Sequence, residues 1–411
     1  MATTSSAPDL EALFEVVALP RAEGPVRCAI ALPGDRLRAL PGFPAAATPE
    51  AGRLASGRGL GAAACRRSAL GEAAELASGC AWGDEATVAA TITEIGPAAI
   101  SPAALTGFTP RQLAGRDAWN RRWGGFDWRP RAFDGGRSIE WMRVEDGFGG
   151  LPAFVPADAV LIGRREAGDE AAVAIADSSG CAAGATVEAA LLAAVLELVE
   201  RDATARWWYG GRRRAPVDPA EAGLPAALAR FLVERARRTV LFDITSDLDI
   251  RVVAAVSAEA DGRDVALGFA AGLDGIAAAI SAATEMLQME VALEAAREIG
   301  PEASDWWTWR RRVTMRLPPL DAAQRLAAGR LAVRPSLGGF AAVLAALARA
   351  GVPLWTVELT RPMIGVPVVR ALSTALCPVK PRFARTRLRA ADPRDVERVA
   401  VGLERRVPLL V

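Results

Sequence analysis

Three times along this chain a glycine is followed thirteen residues later by a glutamate, and three further on by a second glutamate or a glutamine. The sets are Gly59, Glu72 and Glu75; Gly184, Glu197 and Glu200; and Gly272, Glu285 and Gln288. In the second and third sets another glycine stands four residues before the first, at Gly180 and Gly268. The stretches between are rich in alanine, a strong helix former, and each opens just after a glycine turn. One spacing used three times marks one supersecondary unit built three times. Any fold open to this chain must place three such helices.

Helix geometry then dictates the chemistry. Residues i and i+3 share a face about one turn apart, so each pair presents two oxygen-bearing groups together. Exposed like charges at that spacing cost only about 0.2–0.5 kcal/mol. Buried, they cost far more unless something positive lies between them. Ala69, Leu70, Ala73, Ala74, Leu196, Leu198 and Val199 surround the first two pairs, which points to burial. Hard oxygen ligands in such a setting suit Mg2+, which takes one or two carboxylates together with phosphates. The competing reading is three amphipathic helices with solvated glutamates; the matched repeat argues against it. Arg201, beside Glu200, suits a phosphate or a neighbouring glutamate, with surface decoration an equal alternative. Arg58 lies in a glycine turn, where backbone amides and a guanidinium can both approach phosphate.

Composition removes several chemistries. The 411 residues contain no histidine, which excludes Ser-His-Asp and Cys-His catalysis and any histidine-ligated metal. Lys380 is the sole lysine and sits between Val379 and Pro381, so there is no phosphate-binding Gly-Lys-Ser/Thr loop. A net charge of +1 gives no steering towards nucleic acid or a membrane surface. The five scattered cysteines lack any C-x-x-C pair and read as reduced, buried thiols of a cytoplasmic protein. Cys181 stands in the second glycine turn, but nothing nearby would activate it as a nucleophile. The N-terminal residues show no signal peptide, and charges interrupt the long apolar stretches, so no membrane span is expected.

Periodicity predicts a strand near 26–31, a helix over 62–78, and an aromatic-studded excursion of poor periodicity over 100–150. Strands are expected at 158–163 and 171–177, then a helix over 185–206 and another over 224–238. Strands at 239–244, 250–257 and 264–270 lead into a helix over 275–298. A helix at 338–350 and strands at 353–359 and 365–371 follow. The mixture reads as an α/β or α+β chain: residues 1–50 as a strand-bearing N-terminal extension, 51–411 as one compact domain. Gly57 to Ala62 formally fits the dinucleotide fingerprint G-x-G-x-x-G/A, but PEAGRLAS before it does not read as a strand. Trp207, Trp208 and Tyr209 with Arg212–Arg214, and Trp306, Trp307 and Trp309 with Arg310–Arg312, read as half-buried anchors at helix ends. As nucleic-acid platforms they would predict strongly salt-dependent binding to single strands.

The segments GRGLGAAACRRSALGEAAE, DSSGCAAGATVEAALLAAVLELVERDATARWW and GFAAGLDGIAAAISAATEMLQ resemble, in order, the three signature segments of the YcaO family. VPLWTVELT and IGVPVVRAL resemble its C-terminal strands, so the likeness spans roughly residues 50–375. The resemblance implies a non-P-loop ATP fold of repeated strand–glycine turn–helix units, with Mg2+ held around the phosphates by glutamates. It implies activation of a peptide amide by phosphorylation, leading to an azoline, a thioamide or an amidine. It assigns nucleotide binding to Arg58, Ser68, Glu72, Glu75, Glu197, Glu200, Arg201, Glu285 and Gln288, and metal binding to the five glutamates among them. Arg58 stands where the family usually has lysine. The nucleophile would come from the substrate or a co-substrate. The implied partners are a ribosomally made precursor peptide and a leader-peptide-binding or TfuA-like protein that delivers it, because the N-terminal region reads as too short for a leader-binding domain; a homodimer stays open.

The sequence also departs from the family pattern. Ser179 and Ala185 replace asparagines of the second motif, Ala189 replaces a glutamate, and Glu188 lies one residue early. Leu76 stands where arginine often follows, and ERRVPLLV lacks a proline-alternating tail. These departures keep a second reading open, a degenerate relative that binds peptide or a partner without turning over ATP.

Overall fold

The computed structural model describes residues 9–20, 24–212, 214–260, 262, 264–299, 331, 338–389 and 409. Three antiparallel sheets carry the chain among these residues. The first pairs β1 (Phe14–Leu19), β2 (Arg27–Pro33) and β3 (Ala55–Gly59) in that order. Strands from both sides of residue 50 thus share one sheet. The second has the order β4 (Val88–Ala90), β5 (Ile139–Asp146), β12 (Trp355–Glu358), β13 (Val368–Leu372), β7 (Cys181–Ala183), with β6 (Ala153–Pro156) also on β5. The third runs β11 (Ala266–Gly272), β10 (Arg251–Ala258), β9 (Arg238–Asp243), β8 (Pro216–Val217). Five longer helices join them: α1 (Ala62–Gly79), α2 (Val187–Trp208), α3 (Ala226–Glu234), α4 (Gly275–Ile299) and α5 (Phe340–Arg349).

The threefold spacing of the sequence is a threefold structural unit. β3, β7 and β11 each end one of the three sheets, and each leads through a glycine into α1, α2 or α4. Helix α1 packs on β3 and on β7, α2 on β7 and on β11, and α4 on β11 and back on β3. The units therefore close into a ring.

Glycine is required where strand meets helix. A Cβ on Gly59 would lie 2.7 Å from the amide nitrogen of Cys65, and one on Gly184 would lie 2.3 Å from that of Ala190. The matching contact of Gly272, to the nitrogen of Ala278, is 3.5 Å. In all three units the close neighbour is the residue six positions on. On Gly268 a Cβ would stand 2.2 Å from the carbonyl oxygen of Ala282. At Gly59, Gly184 and Gly268 these approaches leave no room for a side chain, whereas the 3.5 Å at Gly272 is an ordinary contact.

Most predicted elements fall within a few residues of their observed bounds, but three expectations need correction. Residues 158–163 and 171–177 are not strands. Both runs are largely buried, as apolar patterning required, yet the amide of Val173 donates to Asp158 Oδ2 at 3.2 Å instead of to a strand partner. Residues 157–159 form a tight turn, and Asp158 is held by Arg165. A short apolar run cannot declare its backbone state by periodicity alone. Conversely, the glycine-rich ASGRG is itself β3, a strand that composition hid. Its pairing with β2 supplies the backbone bonds that its glycines cannot replace by packing.

The third correction concerns the Trp207–Tyr209 cluster, which is fully buried and not half-buried. Trp207 packs between the rings of Phe242 and Phe269, with centroids 5.6 and 6.1 Å away. These rings offer no stacking platform. The Trp306–Arg312 cluster lies outside the described residues. Among the described residues one stretch, Gly275–Ala295 of α4, is long and apolar enough to cross a membrane by length and composition, and 56% of its most apolar part is buried within the protein. The excursion at 100–130 is built from short capped helices. Ser101 and Thr109 cap two of them, Thr109 in a reciprocal box with Gln112.

Candidate functional site

A cavity of about 1200 Å3 opens where the three units meet. Arg58, Glu72, Glu75, Arg201, Glu285 and Gln288 all line it. Glu197 and Glu200 stand beside them on α2, joined through Arg201, which lies 3.1 Å from Glu197 Oε1 and 3.6 Å from Glu200 Oε1. Arg58, on β3, spans to α4: it pairs with Glu285 Oε2 at 2.8 Å and donates to Gln288 Oε1 at 3.0 Å. Gln288 in turn donates to the Ser56 hydroxyl at 2.8 Å. The amide of Gly180 donates to Glu197 Oε2 at 3.2 Å. The repeat geometry thus brings eight of the nine expected residues into one constellation. Ser68 lies on α1 one turn before Glu72, outside the cavity lining.

The carboxylates feel one another. Burial pushes the Glu72 carboxyl up to about 7, and Glu197 and Glu285 add to the rise while Arg58 and Arg201 oppose it. Glu72 opens towards the cavity interior but is enclosed by protein around it. Burial pushes Glu200 up to about 8, against Arg201 and with the help of Glu285 and Glu197. Glu75 is raised well above the ordinary range by burial, then by Glu72 and Glu197. Glu197 is raised by burial as well, with Arg201 pulling the other way. Burial disfavours the Arg201 cation, yet Glu200 and Glu197 hold its proton more tightly than usual. The guanidinium groups of Arg58, Arg201 and Arg370 do not cancel the rise at Glu72, Glu75, Glu197 and Glu200, so protons serve there where no further cation is present.

That is the electrostatic condition of a divalent-cation site. Hard oxygen donors with raised carboxyl values suit Mg2+, whose binding would displace the protons. Among the described residues, no three acidic or sulfur side chains are grouped closely enough to hold a metal as they stand. The arginine pairs at Glu285 and Glu197 occupy part of the oxygen set.

The departures of the second motif have definite places. Ala185, Glu188 and Ala189 are all exposed at the first turn of α2, where Thr186 caps the helix by accepting from Ala189. At roughly 100° per residue, Glu188 points about 180° away from Glu197, so it cannot take over the missing carboxylate. Ala189 lies within about 20° of Glu200 on the helical wheel, three turns earlier.

Sequence reasoning missed three further contributors to the cavity, of which Arg370 also acts on Glu75 and Glu197. Arg370 is buried in β13 and donates to the carbonyls of Val160 at 2.6 Å, Ser179 at 3.2 Å, and Asp177. It ties down the turn that leads into β7. A charge in the middle of the apolar run VPVVRAL was the available signal. Lys380 pairs with Asp177 at 3.0 Å. Burial would raise the Asp177 carboxyl, but Lys380 and Arg370 hold it well below the usual range. The sole lysine was read only for the loop it ruled out. Asp127 accepts two bonds from Arg382, at 2.7 and 2.6 Å, and both residues line the cavity. The thiols take no part: burial pushes Cys80 up to about 12 and raises Cys181 further still.

Comparisons with known proteins identify the family and fold. Residues 56–377 match the family model described as YcaO cyclodehydratase, ATP- and Mg2+-binding. A heterocyclase solved in complex with substrate and cofactor is 28% identical, with a TM-score of 0.76 over 91% of this chain and 51% of that one. The heterocyclase TruD is 31% identical, with a TM-score of 0.62 over 76% of this chain and 45% of that one. This chain therefore spans about half the length of those heterocyclase chains. YcaO from Methanopyrus kandleri, solved with AMPPCP and Mg2+, shares the fold at 20% identity and a TM-score of 0.58, over 89% of this chain and 86% of that one. A search of curated protein sequences found no match. With its repeated helices, its central glutamates and a family match over most of its length, the chain belongs to the YcaO family.

Proposed function

We propose that this chain is an ATP- and Mg2+-dependent enzyme that activates a peptide backbone amide by O-phosphorylation. The observation that carries the reading is the convergence of acidic side chains from three separate helices on one cavity. Glu72, Glu75, Glu197, Glu200 and Glu285 would hold Mg2+, and Arg58 and Arg201 would clamp the phosphates, with Gln288 fixing Arg58. ATP supplies the phosphoryl group that turns the amide oxygen into a leaving group, and Mg2+ neutralises the charge of the transfer. A thiol or hydroxyl of the substrate, or an added sulfide or amine, then adds to the amide carbon as that oxygen departs as phosphate. The chain's own part is to exclude water, to orient the phosphates and to keep the carboxylates deprotonated only when a cation is present. A ribosomally made precursor peptide, delivered by a leader-peptide-binding or TfuA-like protein, is the corresponding substrate and partner.

The exposed Ala185 and Ala189, with Glu188 turned away, favour a second reading. On it, the Arg58 and Arg201 pairs close the cluster permanently and the chain is a peptide- or partner-binding scaffold. Calorimetric titration with Mg-AMPPCP separates the two. Saturable binding that disappears in Glu200→Gln supports the enzyme; no heat at millimolar nucleotide supports the scaffold. Mass spectrometry of the precursor after incubation with ATP then reads the product, as loss of one water for an azoline or exchange of oxygen for sulfur for a thioamide.

A further inference from the structure

We infer that the aromatic part of the cavity lining, built by the 105–128 excursion, is a side-chain subsite for a neutral, bulky apolar residue of the bound peptide. The inference rests on the peptide-modifying reading but uses different residues. Phe108, Phe126 and Trp128 from the excursion, with Leu105 and Leu376, line the same cavity as Glu72 and Glu285. Phe126 and Trp128 are only half-buried, so ring surface remains open at the cavity they line.

Charge selects the occupant. The cations on this side are already paired. Arg382 is bound to Asp127 through two hydrogen bonds and lies over the Phe108 ring, 4.0 Å from its centroid. Lys380 is bound to Asp177. Arg385 donates to the carbonyls of Ala104 (2.7 Å), Leu105 and Thr374. An acidic side chain entering here would compete with a carboxylate at Arg382 and Lys380 and with three backbone carbonyls at Arg385, and a basic one would meet guanidinium groups. An apolar side chain loses nothing and covers aromatic surface. Trp128 Nε1 is also buried without an acceptor. A peptide carbonyl would satisfy it after a small turn of the ring.

The wall is rigid enough to discriminate. The Gln112 side chain donates to Pro381 at 2.9 Å and accepts from the Phe383 amide at 3.2 Å, and Ala384 donates to Gly107 at 3.1 Å. These bonds stitch the excursion to the segment after β13. A preformed apolar pocket favours a Phe or Leu side chain over Ala by at least about tenfold, even when the added carbons are only partly buried.

The test uses blocked, fluorescently labelled Gly/Ser pentapeptides with one central residue varied among Phe, Leu, Ala, Asp and Lys. Binding to the full chain is read by polarisation, with and without Mg-AMPPCP, beside calorimetric titration of the nucleotide alone. The expected result is tightest binding for Phe and Leu, flattened by about tenfold in Phe126→Ala and partly in Trp128→Phe, with nucleotide affinity unchanged. Nucleotide binding with no apolar preference, or a preference that survives both substitutions, overturns the subsite and leaves the glutamate reading intact. An apolar preference in a chain that binds no nucleotide retains the subsite and overturns the ATP reading.

Discussion

The cavity has two sides that are built on opposite principles. The repeat ring is made of alanine and glycine and relies on backbones approaching so closely that no side chain fits between them. At Gly268 the clearance for a Cβ is 2.2 Å. The far wall relies on long side chains that pair off, as Asp127 does with Arg382 and Lys380 with Asp177. Charge is treated just as differently. The ring crowds carboxylates until their proton affinity rises, whereas in the wall Arg382, Lys380 and Arg385 each have an acceptor. The contrast shows where each side gets its rigidity: the ring from backbone packing, the wall from ion pairs and capping.

Substitutions can break or sharpen this contrast, beginning with the most damaging. Gly268→Ala forces a methyl into the Ala282 carbonyl and should cost about 3 kcal/mol or more in chemical denaturation, with loss of folded protein at 37 °C. A cost below about 1 kcal/mol would show that the ring yields. Glu200→Gln keeps the shape but removes a ring carboxylate, and should weaken Mg-AMPPCP binding on the order of 100-fold by calorimetry. Asp127→Asn leaves Arg382 without its charge partner in the wall. It should cost roughly 2 kcal/mol of stability while nucleotide affinity stays within about twofold. If nucleotide affinity falls with it, the two sides are not separable.

Titration probes the ring alone. Glu200, raised to about 8, keeps its proton in the folded chain at pH values where the unfolded chain has lost it. Its contribution is therefore complete below the ordinary glutamate range and is lost as pH rises towards 8. Metal-free protein should lose stability between pH 5 and 8, on the order of 1 kcal/mol per pH unit at most. Added Mg2+ should flatten that slope and release protons, read as a buffer-dependent heat of binding. The smallest effect belongs to Gly125→Ala in the wall, where a Cβ meets nothing within 4 Å; the expected change in stability is below about 0.5 kcal/mol.

The ring was legible in the sequence because spacing survives where composition is monotonous. Helical periodicity places Glu72 beside Glu75 and Glu197 beside Glu200 without any knowledge of tertiary contacts. What could not be read was which units would touch, and hence that Arg58 would cross to Glu285 and Gln288, more than two hundred residues away. The wall was nearly invisible. Its members are joined by side-chain bonds between residues near 110 and near 380, and such pairings have no period. Arg370 and Lys380 were conspicuous as oddities, but an oddity does not say what it faces. The buried runs at 158–163 and 171–177 misled because burial alone does not fix the backbone state.

The closed ring of β3–α1, β7–α2 and β11–α4 has one more consequence. In a symmetric trimer of identical subunits, every residue near the axis is present three times, so any change there is made threefold. Here the three protomer-like pieces lie on one polypeptide and can drift independently. Gln288 stands where its two counterparts are Glu75 and Glu200, and only the second unit follows its glutamates directly with an arginine, Arg201. The axis can therefore hold an asymmetric guest, with one flank of two carboxylates, one of two carboxylates and a guanidinium, and one of a carboxylate and an amide, which no trio of equal partners could offer.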